Sequence, residues 1–301
     1  MNWNPPITAI IGPTASGKSS IAHALAARIG GEILSVDSMT VYRGMDVGTA
    51  KPSSHDRAAL PHHLLDVADP TETFTVARFV ELADRAIADA RARGVPLVAV
   101  GGTPLYFKAL FEGLFDGPGA DEALRNRLRR ESNQDLHQRL QRIDPAAAAR
   151  IHVNDAKRLI RAIEVYELTG QPISSFQTHW SGDAPPTAWR HPVRWFGLHW
   201  ERPELNRRIN ARVKQMLADG WVEEVRRLLT TYGQLSRTAT EAAGYQQLIA
   251  HVQGRCSLDD AVEEIKVATR QLSRRQIKWF RRFRDVTWLD GASVDAHRLI
   301  P

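Results

Sequence analysis

The stretch "GPTASGKSS" places Gly12, Gly17, Lys18 and Ser19 at every fixed position of G-x-x-x-x-G-K-[ST]. That spacing suits the holding of a chain of phosphates. Glycines let backbone N–H groups turn inward around an anion, and the N-terminus of a following helix adds partial positive charge. Lys18 supplies a point charge for the terminal phosphates, and the Ser19 hydroxyl is placed to reach a Mg²⁺ ion. Pro13, Thr14, Ala15 and Ser16 complete the loop. Nothing in it touches a base, so the motif is specific for polyphosphate without singling out ATP.

Two further polar residues stand at the ends of apolar runs. Asp37 ends "EILSVDS", where a carboxylate can accept a proton or hold the water shell of a metal ion. Position alone also allows a helix N-cap or a structural ion pair. Thr103 follows Gly101 and Gly102 in "VPLVAVGGT". Its hydroxyl can bond a phosphate or substrate oxygen, or simply cap the helix "PLYFKAL". A phosphate-loop ATPase usually ends an apolar strand in Asp, to organise Mg²⁺ and water. Here that strand ends in Gly-Gly-Thr. This weakens the ATPase reading and leaves a small-molecule kinase open.

The elements that must position these residues are readable. "ITAII" is a buried strand, and "SSIAHALAARIG" is a helix closed by Gly30. "TVARFVELADRAIADARARG" has helical periodicity, and "VPLVAV" is an apolar strand of the kind covered on both faces. The alternation predicts a parallel α/β sheet with ligands at the carboxyl ends of its strands. Beyond "FDGPGADEALRNRL" the chain reads as helices only, as far as about Thr169. After "GDAPPTAWRHP", "VRWFGLHW" returns to a strand pattern, a helix follows, and "VTWLD" fits a last strand. The expected organisation is a discontinuous α/β core over residues 1–116 and 191–301, with a helical insertion over residues 117–190.

The 301 residues carry 40 Lys and Arg against 34 Asp and Glu, a formal net charge of +6. Such a balance is compatible with nucleic acid. The distribution says more. Arg270, Arg274, Arg275, Lys278, Arg281, Arg282 and Arg284 follow one another with no acidic residue between them. Arg270, Arg274, Lys278 and Arg281 or Arg282 form one positive helical stripe, whose natural partner is a phosphate backbone. Trp279 and Phe283, four apart, form an adjacent aromatic pair of the spacing usual for a core. Lys157, Arg158, Arg161 and Arg125 add basic residues in the insertion. One cysteine, Cys256, makes an internal disulfide impossible. No Cys/His cluster suggests zinc. No apolar run approaches a membrane span of about 20 residues. The expected compartment is cytoplasmic, with no membrane partner.

The segments "GPTASGKS", "SVDSMTVYRGMDVGTAKP", "PHHLLD", "GGTPLYFKALFEGL", "NDAKRLIRAIEVYELTG", "AAGY" and "ATRQLSRRQIKWFR" occur in this order. Together they resemble the bacterial tRNA dimethylallyltransferase family over nearly the whole chain. The resemblance implies a P-loop NTPase-like parallel sheet core with a helical insertion domain. It implies a loop that holds the pyrophosphate of dimethylallyl diphosphate, Mg²⁺ as cofactor, and a monomer. The acceptor it implies is the exocyclic N6 of the adenosine just 3′ of a tRNA anticodon, in tRNAs reading codons that begin with U.

By the same carry-over Asp37 is the base, with Lys18, Ser19 and Thr103 around the leaving pyrophosphate. Contact with the tRNA anticodon stem-loop falls to Asp37, Ser38, Met39, Thr40, Thr103 and Arg125, and to Lys157, Arg158, Leu159, Ile160 and Arg161. Gly244 and Tyr245 join them, as do Arg274, Arg275, Gln276, Ile277, Lys278, Trp279, Phe280 and Arg281. The family often has arginine on both sides of the Gly-Tyr pair, where this chain has Glu241 and Gln246. Rival readings are a transferase acting on free AMP, ADP or ATP, a small-molecule kinase, and a non-catalytic RNA-binding protein. The basic stripe argues against the first, and the intact loop against the last.

Overall fold

The computed structural model describes residues 4–114, 117–176 and 189–299. It divides into two compact units, residues 1–111 with 189–301 and residues 112–188. The boundaries expected from sequence lay at 116/117 and 190/191. Most of "GDAPPTAWRHP" lies outside the described residues, as do Phe115 and Asp116.

The first unit is built on six strands: β1 (Ile7–Ile11), β2 (Glu32–Ser35), β3 (His62–His63), β4 (Leu97–Gly101), β5 (Val193–His199) and β6 (Val286–Asp290). They form one sheet in the order β3-β2-β4-β1-β5-β6. Every pairing is parallel. All residues of β1, β2 and β4 are buried, as their near-continuous apolar sequences require of central strands covered on both faces.

Four helices precede the second unit or lead into it: α1 (Lys18–Ile29), α2 (Ser54–Ala59), α3 (Val76–Ala92) and α4 (Pro104–Glu112). The second unit consists of α5 (Glu122–Leu128), α6 (Asn133–Ile143), α7 (Pro145–Ala148), α8 (Ala156–Thr169) and α9 (Ile173–Phe176). Returning to the first unit are α10 (Arg202–Ala218), α11 (Trp221–Tyr232), α12 (Arg237–Thr240), α13 (Tyr245–Val252) and α14 (Leu258–Phe280). No helix among the described residues is long and apolar enough to cross a membrane.

Local chemistry explains the helix ends that matter. α1 begins after Gly17 at φ 89° and closes at Gly30 at φ 61°, left-handed conformations that glycine adopts without a Cβ penalty. In the second unit Asp121, Ser132, Asp144 and Asp155 each accept a backbone N–H of the helix they open. Leu128, Leu136, Leu140, Leu159, Ile160 and Ile163 then pack as that unit's own core.

Candidate active site

The phosphate loop joins β1 to α1 at the carboxyl end of the sheet. It is held from outside by residues far away in sequence. Trp200 Nε1 donates to the Ser16 carbonyl at 2.9 Å, and Arg208 Nε donates to the Ala15 carbonyl at 2.8 Å. The Arg208 guanidinium lies 4.1 Å over the Trp200 ring, a cation–π contact that holds both donors together. Ala15 sits at φ 62°, uncommon for a residue with a Cβ, and these bonds over-determine it. On the other side the Thr14 N–H donates to Gln276 Oε1 at 2.9 Å. A Cβ on Gly12 would come within 3.0 Å of Ser16 Oγ and 3.3 Å of the Leu198 carbonyl, so this position tolerates no side chain without movement. The first amides of α1 have no acceptor within the helix, which leaves them for an anion at its N-terminus.

A cavity of about 550 Å³ opens beside the loop. Lys18, Ser19, Asp37, Met39 and Arg212 all line it. Lys18 Nζ donates to the Pro13 carbonyl at 3.1 Å. Burial and the neighbouring Arg212 push the Lys18 ammonium down to about 8, with Asp37 acting the other way. Burial also lowers the Arg212 guanidinium, and Asp37 again opposes. Among the described residues no acidic side chain forms a salt bridge with either cation. Lys18 and Arg212, both half-buried, thus share one nearby carboxylate, a surplus that an anionic ligand would neutralise. Asp37 Oδ1 accepts the Met39 N–H at 2.8 Å, which fixes its rotamer at the end of β2.

Thr103 is half-buried, and its hydroxyl is engaged at the turn that follows β2. It is absent from the cavity wall. Thr103 Oγ1 accepts the Ser38 N–H at 3.1 Å and donates to Ser38 Oγ at 3.3 Å. It therefore fixes the turn that carries Asp37. Thr40 is turned inward too, 8% exposed and 3.0 Å from Ser35 Oγ, so its side chain offers RNA almost no surface.

The Gly244–Tyr245 pair is a second correction. Tyr245 is wholly buried, and its hydroxyl donates to Glu224 Oε1 at 2.6 Å. Glu224 accepts three backbone N–H groups as well, from Asp46 (2.7 Å), Val47 (2.6 Å) and Gly48 (3.1 Å). A Cβ on Gly244 would lie 2.1 Å from the Trp221 ring. This pair clamps the loop that lines the cavity through Gly48, Thr49 and Ala50, and presents no ring for a base to stack on.

In the second unit Lys157 and Arg158 are exposed at the start of α8. Leu159 is fully buried and Ile160 is 9% exposed. These two side chains belong to the core, so as RNA contacts they are corrected. Arg125 Nε and Nη2 bond both oxygens of buried Glu164 at 2.8 and 3.0 Å, and Arg161 Nη1 adds a third contact at 2.7 Å. Burial raises the Glu164 carboxyl, but Arg125 and Arg161 outweigh it and hold the group below its usual range.

On α14 Arg274, Arg275 and Lys278 are exposed, with Arg281 exposed at its end. Ile277 and Trp279 are half-buried. Arg270 reaches Asn210 Oδ1 at 2.8 Å. Phe280 is fully buried, packing edge-on to Phe107, and Gln276 is 8% exposed. Both are withdrawn from the RNA-contact surface expected of them. Phe283 packs edge-on to Trp195, as the aromatic spacing suggested.

Sequence reading missed Arg212, Glu224 and the Trp200–Arg208 brace. For Arg212 the one available signal was its spacing, four residues after Arg208 on α10. Among the described residues no group of three or more His, Cys, Asp or Glu could hold a metal ion. An ion carried mainly by substrate phosphates needs only one or two protein ligands, and the exposed Ser19 hydroxyl fits that donor set.

A parallel sheet with this loop at its carboxyl edge defines a phosphate-loop protein. The IPP transferase family pattern matches residues 40–283, and the isopentenyl transferase pattern matches residues 5–66. The chain belongs to the IPP transferase family. It is 48% identical to the tRNA dimethylallyltransferase of Geobacter metallireducens, across 93% of this chain and 90% of that protein. The crystal structure of the tRNA isopentenylpyrophosphate transferase of Bacillus halodurans superposes with a TM-score of 0.71 at 37% identity, covering 98% and 93% of the two chains. A eukaryotic dimethylallyltransferase acting on tRNA gives a TM-score of 0.81 at 26% identity, covering 96% and 74%.

Proposed function

We propose that this protein is a tRNA dimethylallyltransferase, moving the dimethylallyl group of dimethylallyl diphosphate to N6 of the adenosine 3′-adjacent to a tRNA anticodon. The observation that carries the reading is the set of Lys18, Arg212 and Asp37 on one cavity wall beside the phosphate loop. Two cations suit a departing diphosphate, and one carboxylate suits proton acceptance.

An exocyclic adenine amine is a poor nucleophile, because its lone pair is delocalised into the ring. Asp37, held by the Met39 N–H, accepts the amine proton as the N–C bond forms. The C–O bond to the diphosphate breaks in the same event, and pyrophosphate leaves. Charge grows on the leaving oxygens, where the first-turn amides of α1, Lys18 and Arg212 stabilise it. Lys18, at about 8, is mostly protonated at neutral pH. Mg²⁺, when bound through Ser19 and the diphosphate, supplies further neutralisation of that charge. The target base must leave the anticodon loop to enter the cavity. Arg274, Arg275, Lys278 and Arg281, with Lys157 and Arg158, are exposed cations suited to the tRNA backbone.

The test is transfer of labelled dimethylallyl groups from the diphosphate, with unmodified tRNA and AMP offered in parallel, Mg²⁺ present and ATP absent. Label in tRNA alone is expected. Label in AMP alone would move the function to free-nucleotide prenylation.

A further inference from the structure

We infer that Gln276 is a positioning residue that couples RNA docking on α14 to the geometry of the phosphate loop. The inference rests on the proposed docking of RNA on the basic face of that helix.

The carboxamide uses both of its ends. Oε1 accepts the Thr14 N–H at 2.9 Å, and Nε2 donates to the Gly102 carbonyl at 2.7 Å. Thr14 has the first amide after Gly12, because Pro13 has none. Gly102 immediately precedes Thr103, whose hydroxyl holds the turn behind Asp37. One side chain thereby ties the loop after β1 to the end of β4 and, through Thr103, to the end of β2. These are the places where the diphosphate and the proton acceptor sit. A Cβ on Gly102 would stand 2.6 Å from Gln276 Nε2, so the backbone is cut away to admit this contact.

The other face of the same helical turn carries the charge. Arg274, Arg275 and Lys278 flank Gln276 and are exposed, while Gln276 is 8% exposed. A polynucleotide that draws on those cations moves or stiffens a segment whose inward side chain bonds the loop directly. No intermediate residue is needed. Leu272 and Thr269, one and two turns earlier, line the cavity from the same helix. Glutamine is the residue this arrangement requires, because it must accept from an N–H and donate to a carbonyl at once. Glutamate cannot donate to the Gly102 carbonyl, and would set a negative charge beside the phosphates.

The experiment measures pyrophosphate affinity by titration calorimetry in the presence of Mg²⁺, with and without an anticodon stem-loop RNA. In the wild type the RNA is expected to tighten pyrophosphate binding by about fivefold or more, the usual lower range of a coupling between two sites. In Gln276→Ala that tightening should fall below about twofold, while affinity for the RNA alone stays within about threefold and melting remains cooperative. Gln276→Glu, which keeps the bulk of the side chain, should lose the coupling as well. This second variant keeps the test decisive if the alanine variant does not fold. A variant that retains the wild-type tightening would overturn the proposal, as would a wild type that shows none. RNA affinity unchanged by Arg274→Ala and Arg275→Ala together would overturn it at its first step, by removing the docking surface instead of the link.

Discussion

Two partly buried ionic clusters in this chain look alike in composition and differ in balance. In the second unit Arg125 and Arg161 surround Glu164, and both carboxylate oxygens are bonded. The Asp121 N–H completes that shell at 2.8 Å. In the first unit Lys18 and Arg212 stand near Asp37, yet neither makes a salt bridge with it among the described residues, and all three line an open cavity. The first cluster is complete and orders α5 against α8. The second carries positive charge that the protein leaves uncompensated, at a cost that only a ligand removes. The arrangement of partners, and not the presence of arginine, separates a structural cluster from a binding one.

The sharpest way to break this contrast is Asp37→Ala. Turnover should fall by about 10²–10⁴-fold, the usual contribution of a general base, with RNA affinity changed only a few-fold. Normal turnover in that variant would remove Asp37 from the chemistry. On the other side, Glu164→Gln should destabilise the second unit by about 3–5 kcal/mol, because it removes the buried charge that both guanidinium groups bond. Thermal unfolding measures this, and pyrophosphate binding should not change. Loss of pyrophosphate binding with intact stability would reverse the two assignments.

Arg212→Ala sharpens the first-unit side. It should weaken pyrophosphate by roughly 10–100-fold, the range of a charged hydrogen bond of about 1.5–3 kcal/mol, without lowering the melting temperature. An unfolded or less stable variant would make Arg212 structural.

The smallest effect is in pH. Lys18 is pushed from 10.5 down to about 8. It carries its charge below about 8 and loses it above, so pyrophosphate affinity should decline between neutral pH and pH about 9. Stability of the ligand-free protein should run the opposite way. Between about 8 and 10.5 the unfolded chain binds the proton that the folded chain has released, so stability from this group rises with pH in that window. A pyrophosphate affinity that is flat across pH 8 would take Lys18 out of the anion site.

Local pattern made the frame of the site readable. The apolar runs of β1 and β4 announced buried parallel strands, and Gly30 marked the end of α1. The strand expected to end at Asp37 stops at Ser35, and Asp37 lines the cavity two residues further on. What stayed hidden depends on partners far along the chain. Gln276 meets Thr14 across 262 positions and Glu224 meets Asp46 across 178. Glutamine inside "SRRQIKW" reads as one more polar member of a basic helix until the fold shows which way it turns. Tyr245 and Phe280 failed for a related reason. A short motif tells which residues belong together, and gives no sign of whether a ring faces solvent or a core.

The tie between Thr14 and Gln276 also orders events in time. A ribosome adding about 5–20 residues per second makes Gln276 tens of seconds after it makes Thr14. Through that interval the loop lacks its clamp, and Glu224 and Tyr245 are not yet available to the loop that contains Asp46, Val47 and Gly48. Nascent chains therefore carry an unfinished phosphate cradle until almost the last helix is synthesised. A truncated product ending before α14 would keep the whole loop motif and still lack the shape that makes it work.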